Sequence, residues 1–198
     1  RQGTFVPVST SGQGQAFFFR DESRGESPYN GFLDAAAIVA SAGRGAPDAV
    51  FDFGPLPSSA VTTRGIGWRT PRREIDWVWD HDTTRWLRFH RGTPLLDETG
   101  VQLAADNVLV LYVDYRTSDA DFESPQAIST GSGDGWLLRD GTITGVTWSR
   151  PFTVDRWVLA DDDTGDLVAL RPGRTWVALA RLGEGVLLGP DRITELIG

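Results

Sequence analysis

Two polar stretches of the chain carry residue types that bind ligands. In "FFFRDESRGESPYN" (17–30) an apolar run leads into Arg20, Asp21, Ser23 and Arg24, and Pro28-Tyr29-Asn30 follows. Arginine forks grip carboxylate and phosphate groups, and a helix start offers unpaired N–H groups to the same anions. With Asn30 as the N-cap of a following helix, this loop has the parts of an anion site. The same residues also make an ordinary ion-paired loop. In "GVTWSRP" (145–151) Trp148 and Arg150 are two residues apart, so a strand puts them on one face, where guanidinium can stack on indole. Arg174 and Trp176 repeat that spacing. Two roles are open to Arg150: first clamping the strand end to a neighbouring loop, second touching a ligand. The candidate ligand-binding set is therefore Arg20, Asp21, Arg24, Asn30, Trp148 and Arg150. No residue is singled out as catalytic.

Other clusters fall short of the chemistry they suggest. "WDHD" (79–82) offers Asp80, His81 and Asp82, but neighbours on a turn do not converge on one metal, and no second histidine stands at i+4. "ADDDTGD" (160–166) fails the EF-hand pattern, which needs Gly at position six and Glu at twelve; counted from Asp161 these are Asp166 and Pro172. It reads as an acidic turn. "GSGDG" (131–135) precedes no helix, so it is no phosphate cradle and reads as a flexible entry into a strand at Trp136. No serine lies in G-x-S-x-G, and no pair of carboxylates stands out as acid and base. Neither metal nor cofactor is expected.

The elements that would hold these residues follow from apolar period. Phe17-Phe18-Phe19 reads as a buried strand, and "NGFLDAAAIVASAGRG" as a helix from about Gly31 to Ser41, stopped by Gly43 and Gly45. A Pro/Gly-rich connector ends near Ser58. Beyond it the period becomes two. "REIDWVWD" puts Ile75, Trp77 and Trp79 on one face; "TRWLRFHR" puts Trp86, Arg88 and His90 on one face. With the turn "HDTT" between them, 73–91 is a hairpin. The tryptophans on it read as core. "NVLVLYVDY" (107–115), apolar on both faces, is a central strand. Asp140-Gly141 joins two strands of a second hairpin. The stretch 157–182 repeats the hairpin pattern, with turns at Asp163–Gly165 and Pro172-Gly173. "GPDRITELIG" ends the chain as a short helix. The fold class is α+β: a predominantly antiparallel β-domain (59–198) preceded by a short α-containing segment (1–58).

Composition removes further classes. The 198 residues include no Cys, which excludes thiolate zinc, Fe–S ligation and thiol nucleophiles. There is no Met either, and the chain opens Arg1-Gln2-Gly3, so a processed or trimmed terminus is expected. All 19 basic residues are arginine, yet the formal net charge is −8. Only 61–100 is not acidic. Binding to a phosphate backbone needs a basic footprint, so nucleic acid is not an expected partner.

The ordered set "ADNVLVLYVDY", "GSGDGWLLRDGTITGVTWSRP" and "DLVALRPGRTWVALA" resembles the C-terminal half of the YerB-like lipoproteins (DUF3048), a bacterial family of unknown function. "FFRDESRGESPYN" resembles the F-R-D-x-S-R-x-x-P-H-N stretch that closes that family's N-terminal domain, with Tyr29 where the family usually has His. The resemblance runs from about Phe17 to Leu182. It implies that 1–58 is the C-terminal remnant of an N-terminal α/β domain. It also implies an extracytoplasmic, cell-surface or secreted protein, held at the membrane only by a lipid anchor upstream. It brings no activity. The leading expectation is a non-catalytic module that binds a cell-envelope glycan, an anionic ligand or a protein partner. The alternative is an enzyme of envelope glycan or phosphate-polymer chemistry with its site between the two domains.

Overall fold

Residues 16–27, 29–42, 49–69, 73–119 and 122–198 are described by the computed structural model. The glycine-rich opening and the helix stop at Gly43 and Gly45 lie outside them. The chain divides into two units, residues 1–48 and 49–198.

In the first unit, β1 (Phe18–Arg20) pairs antiparallel with β2 (Gly31–Leu33), and α1 (Ala35–Ala42) follows. Three expectations change here. The strand is not buried: Phe19 is 50% exposed. The helix starts four residues late, because 31–33 pair with β1 instead of coiling. The cap is Asp34, whose carboxylate accepts from Ala37 N at 2.9 Å, while Asn30 is drawn inward by Arg20.

The second unit continues with β3 (Val61–Thr62), β4 (Gly65–Arg69), β5 (Glu74–Asp80), β6 (Arg85–His90), β7 (Thr93–Pro94) and β8 (Ala104–Ala105). Then come β9 (Asn107–Tyr112), β10 (Asp114–Thr117), β11 (Pro125–Ile128), β12 (Gly131–Arg139) and β13 (Thr142–Arg150). The chain ends with β14 (Val158–Asp161), β15 (Thr175–Ala180), β16 (Gly185–Leu187) and α2 (Pro190–Ile197). The larger sheet has the order β14-β13-β12-β9-β15, with β3 against β13; the smaller has β16-β4-β5-β6-β7, with β8 against β6. A separate ribbon pairs β10 with β11. The expected α+β class, mostly antiparallel β, is what the chain forms.

The alternation in sequence explains the layers. Trp77, Trp79 and Trp86 of the first hairpin meet Val108, Val110 and Leu138 of the larger sheet in one core. The other face of β9 gives Leu109 and Leu111 to a second core with Trp148, Leu159 and Leu170. A strand covered on both sides has no polar face, hence the unbroken "NVLVLY". Val78 and Phe89 turn the opposite way and are covered by Ile193 of α2. Asp140 and Gly141 both have positive φ (51° and 72°), as a two-residue hairpin turn of mirror-image type requires.

One pairing departs from the antiparallel expectation. β15 runs parallel to β9, from Thr175 opposite Asn107 to Ala180 opposite Tyr112. Asp106 N and Asn107 N both donate to Arg174 O at the start of β9, so β15 enters at that same end and must run the same way. The "GSGDG" stretch is also not a flexible lead-in. It is the first half of β12, paired residue for residue with β13.

Candidate functional site

The six residues of the sequence-derived set fall in the two units. In the first, Arg20 Nη1 donates to Asn30 Oδ1 at 2.5 Å and approaches Ser27 Oγ at 3.4 Å. Asp21 accepts from Ser23 Oγ and Ser23 N; the Ser23 hydroxyl is the main cause holding its carboxyl below the usual carboxylate range. Arg24 lies over the Phe32 ring at 4.3 Å. Each of these side chains is thus engaged within its own loop. Tyr29 is 86% exposed.

In the second unit, Trp148 is buried and its Nε1 donates to Tyr112 O at 3.1 Å. A Cβ on Gly133, directly opposite Trp148, would come within 3.0 Å of that Nε1, so the indole occupies the space that glycine leaves. Arg150 donates from Nε to Asp155 O at 2.9 Å, from Nη1 to Ser129 Oγ at 3.2 Å, and from Nη2 to Thr153 O. It stacks at 4.4 Å on Trp157. The expected partners are therefore exchanged. Arg150 covers Trp157 rather than Trp148, and Trp176 is covered by Arg88 rather than Arg174. Residues that share a strand face lie side by side along it, whereas stacking needs a ring brought over from another segment.

The other signature residues also hold strands and turns. Asn107 donates to Arg171 O and accepts from Arg171 N, at 2.8 and 2.9 Å. Asp106 accepts from Arg174 N at 2.8 Å, which pins the turn leading into β15. Arg139, 5% exposed, donates to the carbonyls of Gly54, Pro55 and Ala169 and pairs with Asp140. Asp80 accepts from Thr83 and caps the HDTT turn. Asp161 accepts from Ser59 Oγ and from the N–H groups of Asp163 and Thr164; the Ser59 hydroxyl contributes most to holding its carboxyl low. Among the described residues no group of three His, Cys, Asp or Glu side chains is placed to hold a metal ion.

A different arginine has none of these attachments. Arg88 stands opposite Trp77 on the tryptophan face of the β5–β6 hairpin. Its guanidinium lies 4.1 Å over Trp176 of β15 and 5.7 Å from Trp77, and the two indoles are 5.5 Å apart. These residues, with Trp68, Arg73 and Glu184, line a cavity of about 240 Å³. No ion pair or side-chain hydrogen bond holds Arg88 among the described residues, and its Nε and Trp77 Nε1 are both buried without an acceptor. Burial chiefly, and then the positive charge of Arg73, make the protonated guanidinium less favourable than usual. With Nε enclosed, the terminal nitrogens of Arg88 are the donors left for an acceptor that enters the cavity. A second cavity, about 210 Å³, is lined by Tyr112, Asp114, Ser132, Asp134 and Trp148, but there the indole donor is already bonded.

Sequence reasoning missed this site, although its signal was present. Arg88 alternates with Trp86 on a face otherwise built for the core. A cation at a core position is the unusual feature.

Residues 66–177 match the family model described as the C-terminal domain of a protein of unknown function, DUF3048. The chain belongs to the DUF3048 family. The matched span includes Trp68, Arg73, Ile75, Trp77, Arg88 and Trp176, while Ala178, Leu179, Ala180 and Glu184 of the cavity lining lie just beyond it. The crystal structure of the YerB protein from Bacillus subtilis is similar in fold, with a TM-score of 0.69 at 17% identity over 87% of this chain. The chain spans 60% of that protein's length. No curated protein sequence matches it.

Proposed function

We propose that the second unit is a non-catalytic binding module whose ligand enters the Arg88 cavity and brings an anionic group. The observation that carries this is the guanidinium held against two indoles with a buried nitrogen and no acceptor. The guanidinium is half-buried and its terminal nitrogens have no protein acceptor among the described residues, so an anionic ligand gains a charge-assisted bond there. Asp21, Asp80, Asp97 and Asp161 are lowered, each chiefly by a hydroxyl that donates to it, as expected of carboxylates that hold turns.

The module's setting is extracytoplasmic, at the cell surface or secreted, with a lipid anchor upstream as its link to the membrane. Its ligand pool is then the envelope: glycans, their acidic fragments and other small anions. Thermal unfolding tests the reading. Millimolar acetate, phosphate and acidic glycan fragments are added at fixed ionic strength to the wild type and to Arg88→Gln. A rise in midpoint confined to the wild type is expected. Equal shifts in both proteins count against the Arg88 cavity.

A further inference from the structure

The geometry around Arg88 narrows the ligand class. The guanidinium carbon lies 4.1 Å from the Trp176 ring centre and 5.7 Å from that of Trp77, and Nε is enclosed, so the two terminal nitrogens are what a ligand can meet. What remains for a ligand is the edge, where coplanar N–H groups form a fork. That edge fits the two oxygens of one carboxylate or phosphate.

The walls limit the body that carries the anion. Trp68, Ile75, Ala178 and Ala180 give the cavity apolar sides, and about 240 Å³ holds one ring rather than a chain of them. Charge limits the number of anionic groups. Arg73, Arg88 and Glu184 line the cavity, a formal charge of +1, in a chain that carries −8 as a whole. A monoanion balances that lining charge, whereas a polyanion would add uncompensated negative charge to an acidic protein.

We infer that the cavity takes a ring compound bearing a single carboxylate, with the carboxylate on the Arg88 edge and the ring against the tryptophan wall; this rests on the reading of the cavity as the ligand site. Sugar acids and aromatic acids share that chemistry.

The test is a titration at fixed ionic strength that follows the indole Nε1–H signals of the eight tryptophans by NMR. The probes are glucuronate, benzoate, their uncharged counterparts methyl glucoside and benzamide, inorganic phosphate and tripolyphosphate. Glucuronate or benzoate is expected to move the Trp77 and Trp176 signals, and the uncharged counterpart to bind about tenfold more weakly or worse, as loss of a charge-assisted hydrogen bond implies. Which acid binds tells a sugar source from an aromatic one. Arg88→Lys keeps the charge and loses the fork; it is expected to lose about tenfold in affinity with the unfolding midpoint near wild type. Should Arg88→Lys fail to fold, Trp176→Leu on the exposed side of the cavity takes its place, with the same expected loss. Equal affinity for benzamide and benzoate overturns the carboxylate assignment. Tighter, Arg88-dependent binding of phosphate or tripolyphosphate overturns it too, while leaving the cavity an anion site. Signals that no probe moves overturn both readings.

Discussion

The two faces of the β5–β6 hairpin both bury charge, and they treat it in opposite ways. On the face toward α2, Asp76 is fully buried and sits between Arg69 Nη2 at 2.5 Å and Arg192 Nη2 at 2.7 Å. Glu74 and Glu195 also pair with Arg192, and these hydrogen bonds and charges hold its guanidinium firmly protonated. Gly67, opposite Asp76, has no Cβ because one would meet the Asp76 carboxylate at 2.5 Å. On the other face, Arg88 lies against Trp176 and Trp77, and among the described residues its side chain has no hydrogen-bond or ion-pair partner. The first arrangement is occupied: Asp76 has a guanidinium on either side, and the terminal nitrogens of Arg192 meet three carboxylates, although its buried Nε has no partner. The second is open. A fold that pairs one buried charge so thoroughly has left the other one chemically unfinished, which is where binding capacity remains.

The closed face should fail hardest when opened. Asp76→Ala takes the carboxylate from Arg69 and one of three from Arg192. Buried pairs broken on one side cost about 3–5 kcal/mol; here about 3 is expected, because Arg69 and Arg192 keep some access to water. Urea unfolding measures it. A loss under 1 kcal/mol would mean that α2 is not held through this carboxylate.

Arg150 sharpens the comparison, since it stacks on an indole as Arg88 does but has its nitrogens bonded. Arg150→Met should cost about 1–2 kcal/mol and loosen the 151–157 turn, because the carbonyls it leaves are near solvent. Hydrogen exchange at Asp155 and Phe152 reads the loosening. Its effect on anion binding should be nil.

A smaller effect belongs to Asp161. Its folded carboxyl titrates below the unfolded value, so its contribution is present above the unfolded value and is lost as pH falls through the folded one. Asp161→Asn should therefore cost about 1 kcal/mol at pH 7, and the gap to wild type should close on acidification below about pH 4. A gap of constant size from pH 7 to pH 2.5 would show that the hydrogen bonds rather than the charge carry the effect.

How far these contrasts were visible in the sequence depends on the range of the interaction. The hairpins, the double-faced strand 107–112 and the tryptophan core were legible, because period two and Asp140-Gly141 are local signals. The parallel strand at Thr175–Ala180 was not, since its partner lies 68 residues upstream and is fixed by hydrogen bonds from Asp106 and Asn107. The stacking partners were misread for the same reason: Trp157 reaches Arg150 around a turn, and Trp176 reaches Arg88 from the other sheet. Signature motifs drew attention to Trp148 and Arg150, whose polar atoms turn out to be used in holding strands and turns. Arg88 belongs to none of those motifs. It is detectable as a charge on an apolar face, but only the structure shows that no acceptor comes to meet it.

The smallest expected change is the most telling. Arg88→Met keeps the length and apolar stem of the side chain and removes the charge. If Arg88 were a structural clamp like Arg150 or Arg139, the substitution would cost 1–3 kcal/mol through stranded acceptors. No acceptor depends on it, so there is none to strand. What is lost is the stacking on Trp176 and Trp77, about 0.5–1 kcal/mol. What is gained is relief of the desolvation of a half-buried guanidinium, small because its terminal nitrogens are not enclosed, and of opposite sign. Unfolding free energy should therefore stay within about 1 kcal/mol of wild type. Stability retained while anion binding disappears would separate Arg88 from the clamps Arg139 and Arg150; a loss comparable to Arg150→Met would make Arg88 one more clamp.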